Sequence, residues 1–263
     1  MLSVIIPAHG KDRTSNLQTL LAILNNQNGI RRFQTIIVEQ QVTLGESFHA
    51  SRECSLHVGI PPQDLGFNKN WCMNVGARLS KYDRLLFLDV DFVVDNEYLS
   101  KVYRFSKLKK NRNIKWFLGW NQLYYLKKDE SEKIRQLKNF GSNPNNSAMG
   151  PGVYGACGSA VFSEKEWFFD KFGGHHENYY GWGGDDNDGA FRAFKLHDNK
   201  FNIMPAVVKH LQHSRTRESS SRNNQHQWWM TQKYPIEICN RIIKSIPGNP
   251  KHPNHVDLKG LIL

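Results

Sequence analysis

Over the first 120 or so residues, short unbroken apolar runs alternate with apolar positions at helical spacing. Ser3 to Ile6 is a β-branched run of the buried-strand type, and Pro7, which lacks an N–H, predicts its end. Ser15 and Gln18 have capping-box spacing, and Leu17, Leu20, Leu21 and Leu24 follow at i, i+3, i+4 and i+7. That pattern predicts an amphipathic helix ending near Asn28-Gly29. Thr35 to Val38 predicts a second buried strand with Glu39 at its C-terminal end. A helix is expected over 69–80, and Arg84 to Leu88 is a further buried strand that runs into Asp89-Val90-Asp91. Helical signal returns over 96–108, with a strand near 115–120.

Continuous apolar strands alternating with helices predict an α/β fold, with a mostly parallel central sheet flanked by helices in the Rossmann-like manner. Ligands of such sheets bind at the carboxyl ends of the strands, where Glu39, Asp89 and Asp91 fall.

The middle of the chain reads differently. Residues 127–137 are charged and helix-prone, and 139–152 form an Asn/Gly/Pro/Ser loop suited to a lid or an acceptor-binding role. Tyr154 to Phe194 is rich in glycine, aromatics and acids, and the chain after about 214 is basic and punctuated by proline. No internal repeat is visible. The simplest division is a catalytic domain over 1–215 and a basic extension over 216–263, packed on it or peripheral to it.

Composition narrows the class. Hydrophobic residues at 39% and aromatics at 12% exclude collagen-like, coiled-coil and disordered chains. A net charge of +11 points to an anionic partner: nucleic acid, acidic lipid or a phosphorylated ligand. No apolar run approaches the roughly 20 residues that cross a bilayer, and the N-terminus lacks signal-peptide features. Cys54, Cys72, Cys157 and Cys239 form no C-x-x-C pair and read as reduced thiols. The expectation is a cytoplasmic protein able to meet the inner face of a membrane peripherally.

Three motifs could carry chemistry. In an extended segment, Asp89 and Asp91 would point to the same side of the backbone, where a cation would relieve their repulsion. Taken alone, the pair is equally a strand end with solvated acids. Tyr180-Gly181-Trp182-Gly183-Gly184-Asp185-Asp186 is an aromatic, glycine-rich turn leading into acids and a helix-like stretch over Ala190 to Leu196. Part of that is ordinary helix capping. The EF-hand pattern fails, because its first ligand position is Gly184 and its closing position Lys195. His210 and His213 follow a strand expected over Ala206 to Val208 and could share one cation, although alone they read more readily as structural histidines than as ligands. Carboxylate and imidazole donors without thiolates suit manganese or a similar divalent ion.

Taken in order, Phe67-Asn68-Lys69, Asn74-Val75-Gly76, Phe87-Leu88-Asp89-Val90-Asp91, Gly181-Trp182-Gly183-Gly184-Asp185-Asp186 and His213-Ser214-Arg215 resemble the motif series of the β-1,4-galactosyltransferase family. They resemble equally its bacterial relatives that make capsule and other surface polysaccharides, lipopolysaccharide included. Ser3 to Gly10, SVIIPAHG, is similar to the opening strand of inverting nucleotide-sugar transferases with a GT-A fold. The resemblance implies Asp91 and His213 as ligands of Mn²⁺, with His210 where the family has a methionine. It implies Asp186 as the catalytic base and Asp185 in place of a glutamate that binds acceptor hydroxyls. Tyr180, Trp182, Gly183 and Gly184 would line the acceptor and sugar pocket. Pro7, Glu39, Phe67, Asn68, Lys69, Asp89 and Gly155 would contact the UDP-sugar donor, Glu39 near uracil and ribose.

The implied activity is metal-dependent, inverting transfer of a hexose or N-acetylhexosamine to a glycan or lipid-linked glycan hydroxyl, with galactose or N-acetylgalactosamine first among the sugars. Two other classes stay open from the residues alone. A basic nucleic-acid-binding protein fits the charge, although no nucleic-acid motif appears and none is expected as partner. A metal-independent glycoside hydrolase could use the paired carboxylates, but would leave the histidines without a purpose.

Overall fold

The structure is a computed structural model, and it describes residues 1–43, 54–108, 111, 113–144, 147–151, 158, 160–181, 183–213, 224–225, 228, 232 and 248–251. Strands β1 (Leu2–His9), β2 (Phe33–Gln40), β3 (Leu56–Ile60), β4 (Arg84–Leu88), β6 (Trp116–Leu118) and β8 (Ala160–Glu164) form one sheet in the order β3-β2-β1-β4-β8-β6. Every neighbouring pair from β3 to β4 is parallel, and β8 runs antiparallel to both β4 and β6. The mostly parallel sheet expected from the apolar runs is therefore present. A second, three-stranded sheet joins β5 (Phe92–Val94), β9 (Val207–His210) and β7 (Gln122–Tyr125) in the order β5-β9-β7.

Helices cover both faces of the large sheet, so its strands are apolar on both sides. Val4 and Ile6 of β1 pack with Leu17, Leu20 and Leu24 of α1 (Thr14–Asn25) and with Leu99 and Val102 of α3 (Tyr98–Lys107). Ile5 faces the opposite layer, with Trp71 and Val75 of α2 (Lys69–Leu79), Phe168 of α5 (Lys165–Asp170) and Ala190 of α6 (Asp185–Leu196). Gly76 lets α2 lie this close: a β-carbon there would run into Ile5. The remaining helix, α4 (Lys128–Leu137), packs beside α1.

Two local expectations fail for physical reasons. Pro7 does not end β1, which continues to His9 in register with β2. Pairing with β4 spans only Ser3 to Ile5, so at Pro7 no ladder on that side calls for an N–H. Ser15 does not cap α1 either. A 3₁₀ turn over Lys11–Arg13 leads directly into the helix, and the Ser15 carbonyl accepts a hydrogen bond from the Thr19 hydroxyl at 2.8 Å.

Cys54 and Cys72 are free thiols; Cys157 and Cys239 lie outside the described residues. Most of the expected extension over 216–263 also lies outside them. Its described pieces meet the body at several points, among them Trp228, whose ring meets Phe191 edge to face with centroids 5.5 Å apart. Asn224 exchanges hydrogen bonds with the Tyr180 backbone, Asn249 accepts from Trp71 Nε1 at 2.6 Å, and the Gly248 N–H donates to Glu177 Oε1 at 2.7 Å. Among the described residues, no helix is long and apolar enough to cross a membrane.

Candidate active site

The site lies at the carboxyl ends of β1, β2 and β4, as the fold class predicts. β4 ends at Leu88, and a turn closed by the Phe92 N–H on the Asp89 carbonyl follows. That turn replaces the extended i, i+2 geometry expected for the two acids, which meet different partners. Asp89 faces Lys69, with Nζ 3.6 Å from Oδ2. Asp91 Oδ2 lies 3.1 Å from His213 Nε2, 3.7 Å from His210 Nε2 and 3.1 Å from Arg13 Nη1.

The small sheet is what brings the histidines to Asp91. β5, directly after the acids, pairs antiparallel with β9 so that Phe92 opposes His210, and the Leu211 N–H donates to the Asp91 carbonyl at 2.9 Å. Among the described residues, Asp91, His210 and His213 are the group whose ligand atoms lie within 4.8 Å of one another. Burial alone would raise the Asp91 carboxyl, but His210, His213 and Arg13 overcome it and hold the group below the usual carboxylate range. Burial also lowers His210, against the pull of Asp91, and so favours a neutral imidazole with a free lone pair. An ionised carboxylate and neutral imidazole are the forms that ligate a divalent ion, so the residues fit one.

The second cluster forms where the N-termini of α2 and α6 meet. Gly181, Gly183 and Gly184 all have positive φ, at 65°, 100° and 84°, conformations that admit glycine far more readily than other residues. Asn68 caps α2 by accepting from the Trp71 N–H at 2.9 Å, and the Gly181 N–H donates to the Phe67 carbonyl at 2.7 Å. These links join two sequence motifs and place Lys69, the first residue of α2, against Asp185 and Asp186, the first of α6. Lys69 Nζ is 2.7 Å from Asp186 Oδ1 and 2.9 Å from Asp185 Oδ2. Burial would lower the lysine, yet Asp185, Asp186 and Asp89 hold it well above its ordinary value. For Asp186, burial outweighs Lys69 and, with the Asp185 and Asp89 charges, pushes the carboxyl up to about 7.

Beneath Asp186 is a small cavity with an apolar floor of Met73, Phe87, Trp116 and Val161. His175 also lines it, with an Nε2 that has no hydrogen-bond partner among the described residues. Burial, helped by Arg192 and Lys69, holds that imidazole well below its usual value. The last acid of the run, Asp188, is structural: fully buried, it pairs with Arg192 Nε at 2.9 Å and His176 Nδ1 at 3.0 Å.

The expected donor residues spread along the strand ends. Pro7 is buried within β1, and Glu39, near the end of β2, pairs with His57 Nε2 of β3 at 2.8 Å. Phe67 stacks on His9, with centroids 5.0 Å apart and planes 5° from parallel. The Asn68 side chain is committed to the α2 cap and to the Glu177 carbonyl. Tyr180 is buried, whereas Trp182 and Gly155 lie outside the described residues. Sequence reasoning did not single out Arg13, His57, His175 or Gly158. For Arg13 a signal was available in its position just after the first strand, on the ligand edge. His57 offered none, because β3 itself was not expected.

No protein-family model matches this sequence, and no curated protein does. Solved structures do. S. aureus TarS 1–349 in complex with UDP aligns with a TM-score of 0.58 at 14% identity, over 93% of this chain and 69% of that one. The same protein with UDP-GlcNAc gives 0.54 at 14% identity, over 84% of this chain and 61% of that one. The fold is GT-A-like. At this identity the likeness concerns the fold alone and does not single out the β-1,4-galactosyltransferase family. Within the GT-A-like fold, the exit of β4 connects the two clusters: Asp91 belongs to the group with His210 and His213, and Asp89 lies 3.6 Å from the Lys69 ammonium that pairs with Asp185 and Asp186.

Proposed function

We propose that this chain is a metal-dependent, inverting glycosyltransferase that moves a hexose or N-acetylhexosamine from a UDP-sugar to a hydroxyl of a glycan or lipid-linked glycan. The observation that carries the reading is geometric: at the exit of β4, Asp91 meets His210 and His213 while Asp89, two residues before it, meets Lys69, which also holds Asp185 and Asp186. The UDP and UDP-GlcNAc of the TarS structures support a uridine nucleotide as donor. Galactose and N-acetylgalactosamine stand first among the sugars by the motif resemblance, and synthesis of a surface polysaccharide is the setting it favours. A net charge of +11 supports an anionic, lipid-linked acceptor or contact with acidic headgroups.

Asp91, His210 and His213 would hold the divalent ion, Mn²⁺ being well suited to these donors, and the chemistry it supplies when bound is neutralisation of charge on the departing diphosphate. Asp186 is the base. The acceptor oxygen bonds to the anomeric carbon, the bond from that carbon to the diphosphate oxygen breaks, and the hydroxyl proton passes to an Asp186 oxygen. A single displacement inverts the anomeric centre. A carboxylate with a pKa near the working pH suits this role, which contributes about 10²–10⁴-fold. Asp185, in the same turn of α6, orients acceptor hydroxyls.

The test is Asp186→Asn. Calorimetry with UDP and MnCl₂ should give wild-type affinity, while transfer from a panel of UDP-sugars should fall by about 10²-fold or more. Turnover close to wild type would remove Asp186 from the role of base.

A further inference from the structure

Lys69 stands out because its ammonium is engaged from three sides. Its Nζ lies 2.7 Å from Asp186, 2.9 Å from Asp185 and 3.6 Å from Asp89, and the lysine side chain is 16% exposed. The first distance is a hydrogen bond, and the other two are ion pairs. A lysine ammonium is a compact charge with three donors, so one such group can serve several carboxylates at once. The backbone around Lys69 is fixed independently of those acids. Asn68 caps the helix that Lys69 begins, and the Asn68 N–H donates to Gln40 Oε1 at 2.7 Å.

We infer that Lys69 is the positioning residue for the base: its ammonium favours the charged form of the Asp186 carboxylate and fixes its orientation against Gly158. The inference rests on the reading of Asp186 as base, and adds what makes that aspartate usable. Without an ammonium among them, Asp186, Asp185 and Asp89 would be three like charges in one partly buried crevice, and a proton would settle on one of them. Gly158 blocks the inward side of Asp186, because a β-carbon at Gly158 would overlap that carboxylate. Lys69 adds a second constraint, a hydrogen bond to Oδ1. Among the described residues, the groups that face Asp186 are Lys69 from α2, Asp89 from the exit of β4, Asp185 from its own helix and the neutral His175 across the cavity. Of these, Lys69 alone carries positive charge, so its removal moves the Asp186 titration in one direction, upward.

The experiment follows Asp186 directly, so it needs no substrate. Full-length protein carrying ¹³Cγ-labelled aspartate is titrated by NMR, with Asp186→Asn assigning the signal. In Lys69→Met and Lys69→Gln the midpoint should rise by about one pH unit or more above the wild type, the scale of one lost opposite charge at contact distance. Lys69→Arg should return it toward the wild-type value. If Lys69→Met does not fold, the Gln and Arg variants decide the matter. A midpoint unmoved in Lys69→Gln overturns the inference, as does an unmoved midpoint with UDP–Mn²⁺ affinity reduced tenfold, which would make Lys69 a donor ligand instead. Failure of the base reading shows separately, as normal sugar transfer by Asp186→Asn.

Discussion

A β-carbon at Gly158 would fall inside the carboxylate of Asp186. The two residues are far apart in sequence, yet Gly158 is the wall against which the acid rests. Its backbone is itself fixed, since its carbonyl accepts from Trp120 Nε1 at 3.1 Å. Gly158→Ala should therefore displace the Asp186 side chain toward solvent rather than move the backbone. Because the displaced atoms are the far end of a side chain, the melting temperature should change little. Sugar transfer should drop by about 10²-fold, as expected for misplacing a reacting group by about 1 Å. Wild-type transfer by a folded Gly158→Ala would show that the orientation of Asp186 is not limiting.

The raised Asp186 also makes a prediction about stability. An aspartate in the unfolded chain titrates near ~3.9. Burial, opposed by Lys69 and aided by Asp185 and Asp89, pushes the folded group up to about 7. Between those values the folded protein binds a proton that the unfolded chain has released. Stability contributed by this group therefore falls as pH rises through that window, and the penalty is complete above it. Asp186→Asn removes the penalty, so the variant should melt higher than wild type at pH 8 and lose that advantage toward pH 5. The side chain keeps 35% of its surface in solvent, which limits the size of the gain. Parallel melting curves at both pH values would contradict the raised titration.

Metal and nucleotide should stabilise the protein together more than either does alone. A ligand at about 100 times its Kd adds roughly 2.7 kcal/mol to the native state. The expected pattern is a large thermal shift with UDP plus MnCl₂, reversed by EDTA, and little with either component singly. His213→Ala removes the imidazole lying 3.1 Å from Asp91 and should abolish the joint shift while leaving the protein folded. An undiminished shift in that variant would place the ion elsewhere.

Much of the fold was legible because its strands bury both faces: the runs around Ile5, Ile37 and Leu86 can be read without knowing their neighbours. Of the short strands, those at Trp116–Leu118 and Val207–His210 were legible and others were not. Phe92–Val94 is too brief to show a period, Leu56–Ile60 carries a partly buried histidine and an exposed glycine, and Ala160–Glu164 emerges from a glycine-rich stretch. The site followed the same rule. Each motif was visible, but the meeting of Asp91 with His213 depends on the long-range pairing of Phe92 with His210. Lys69 reads as part of a Phe-Asn-Lys motif. Its contact with Asp185 and Asp186 arises only because two helix N-termini converge, which no local pattern encodes.

Lys209 offers a test of how the 139–152 loop is anchored. It is fully buried in β9, and its ammonium lies 3.9 Å from the Phe140 ring centroid. It donates to the carbonyls of Phe140, Gly141 and Ser142, the last two at 3.0 and 2.7 Å. All three donors are thus spent on the start of the loop that the sequence suggests as a lid or acceptor contact. Lys209→Met keeps the aliphatic stem and its contact with Phe140 but leaves those carbonyls without their cation. A charged hydrogen bond contributes about 1.5–3 kcal/mol, so chemical denaturation should report a loss of about 3 kcal/mol. The joint shift with UDP and MnCl₂ should survive, because His210 is held separately by its pairing with Phe92 and by the Leu211 N–H on Asp91. A variant as stable as wild type would mean that water replaces the ammonium at those carbonyls. Loss of the joint shift with stability intact would mean instead that loop and metal site move as one unit.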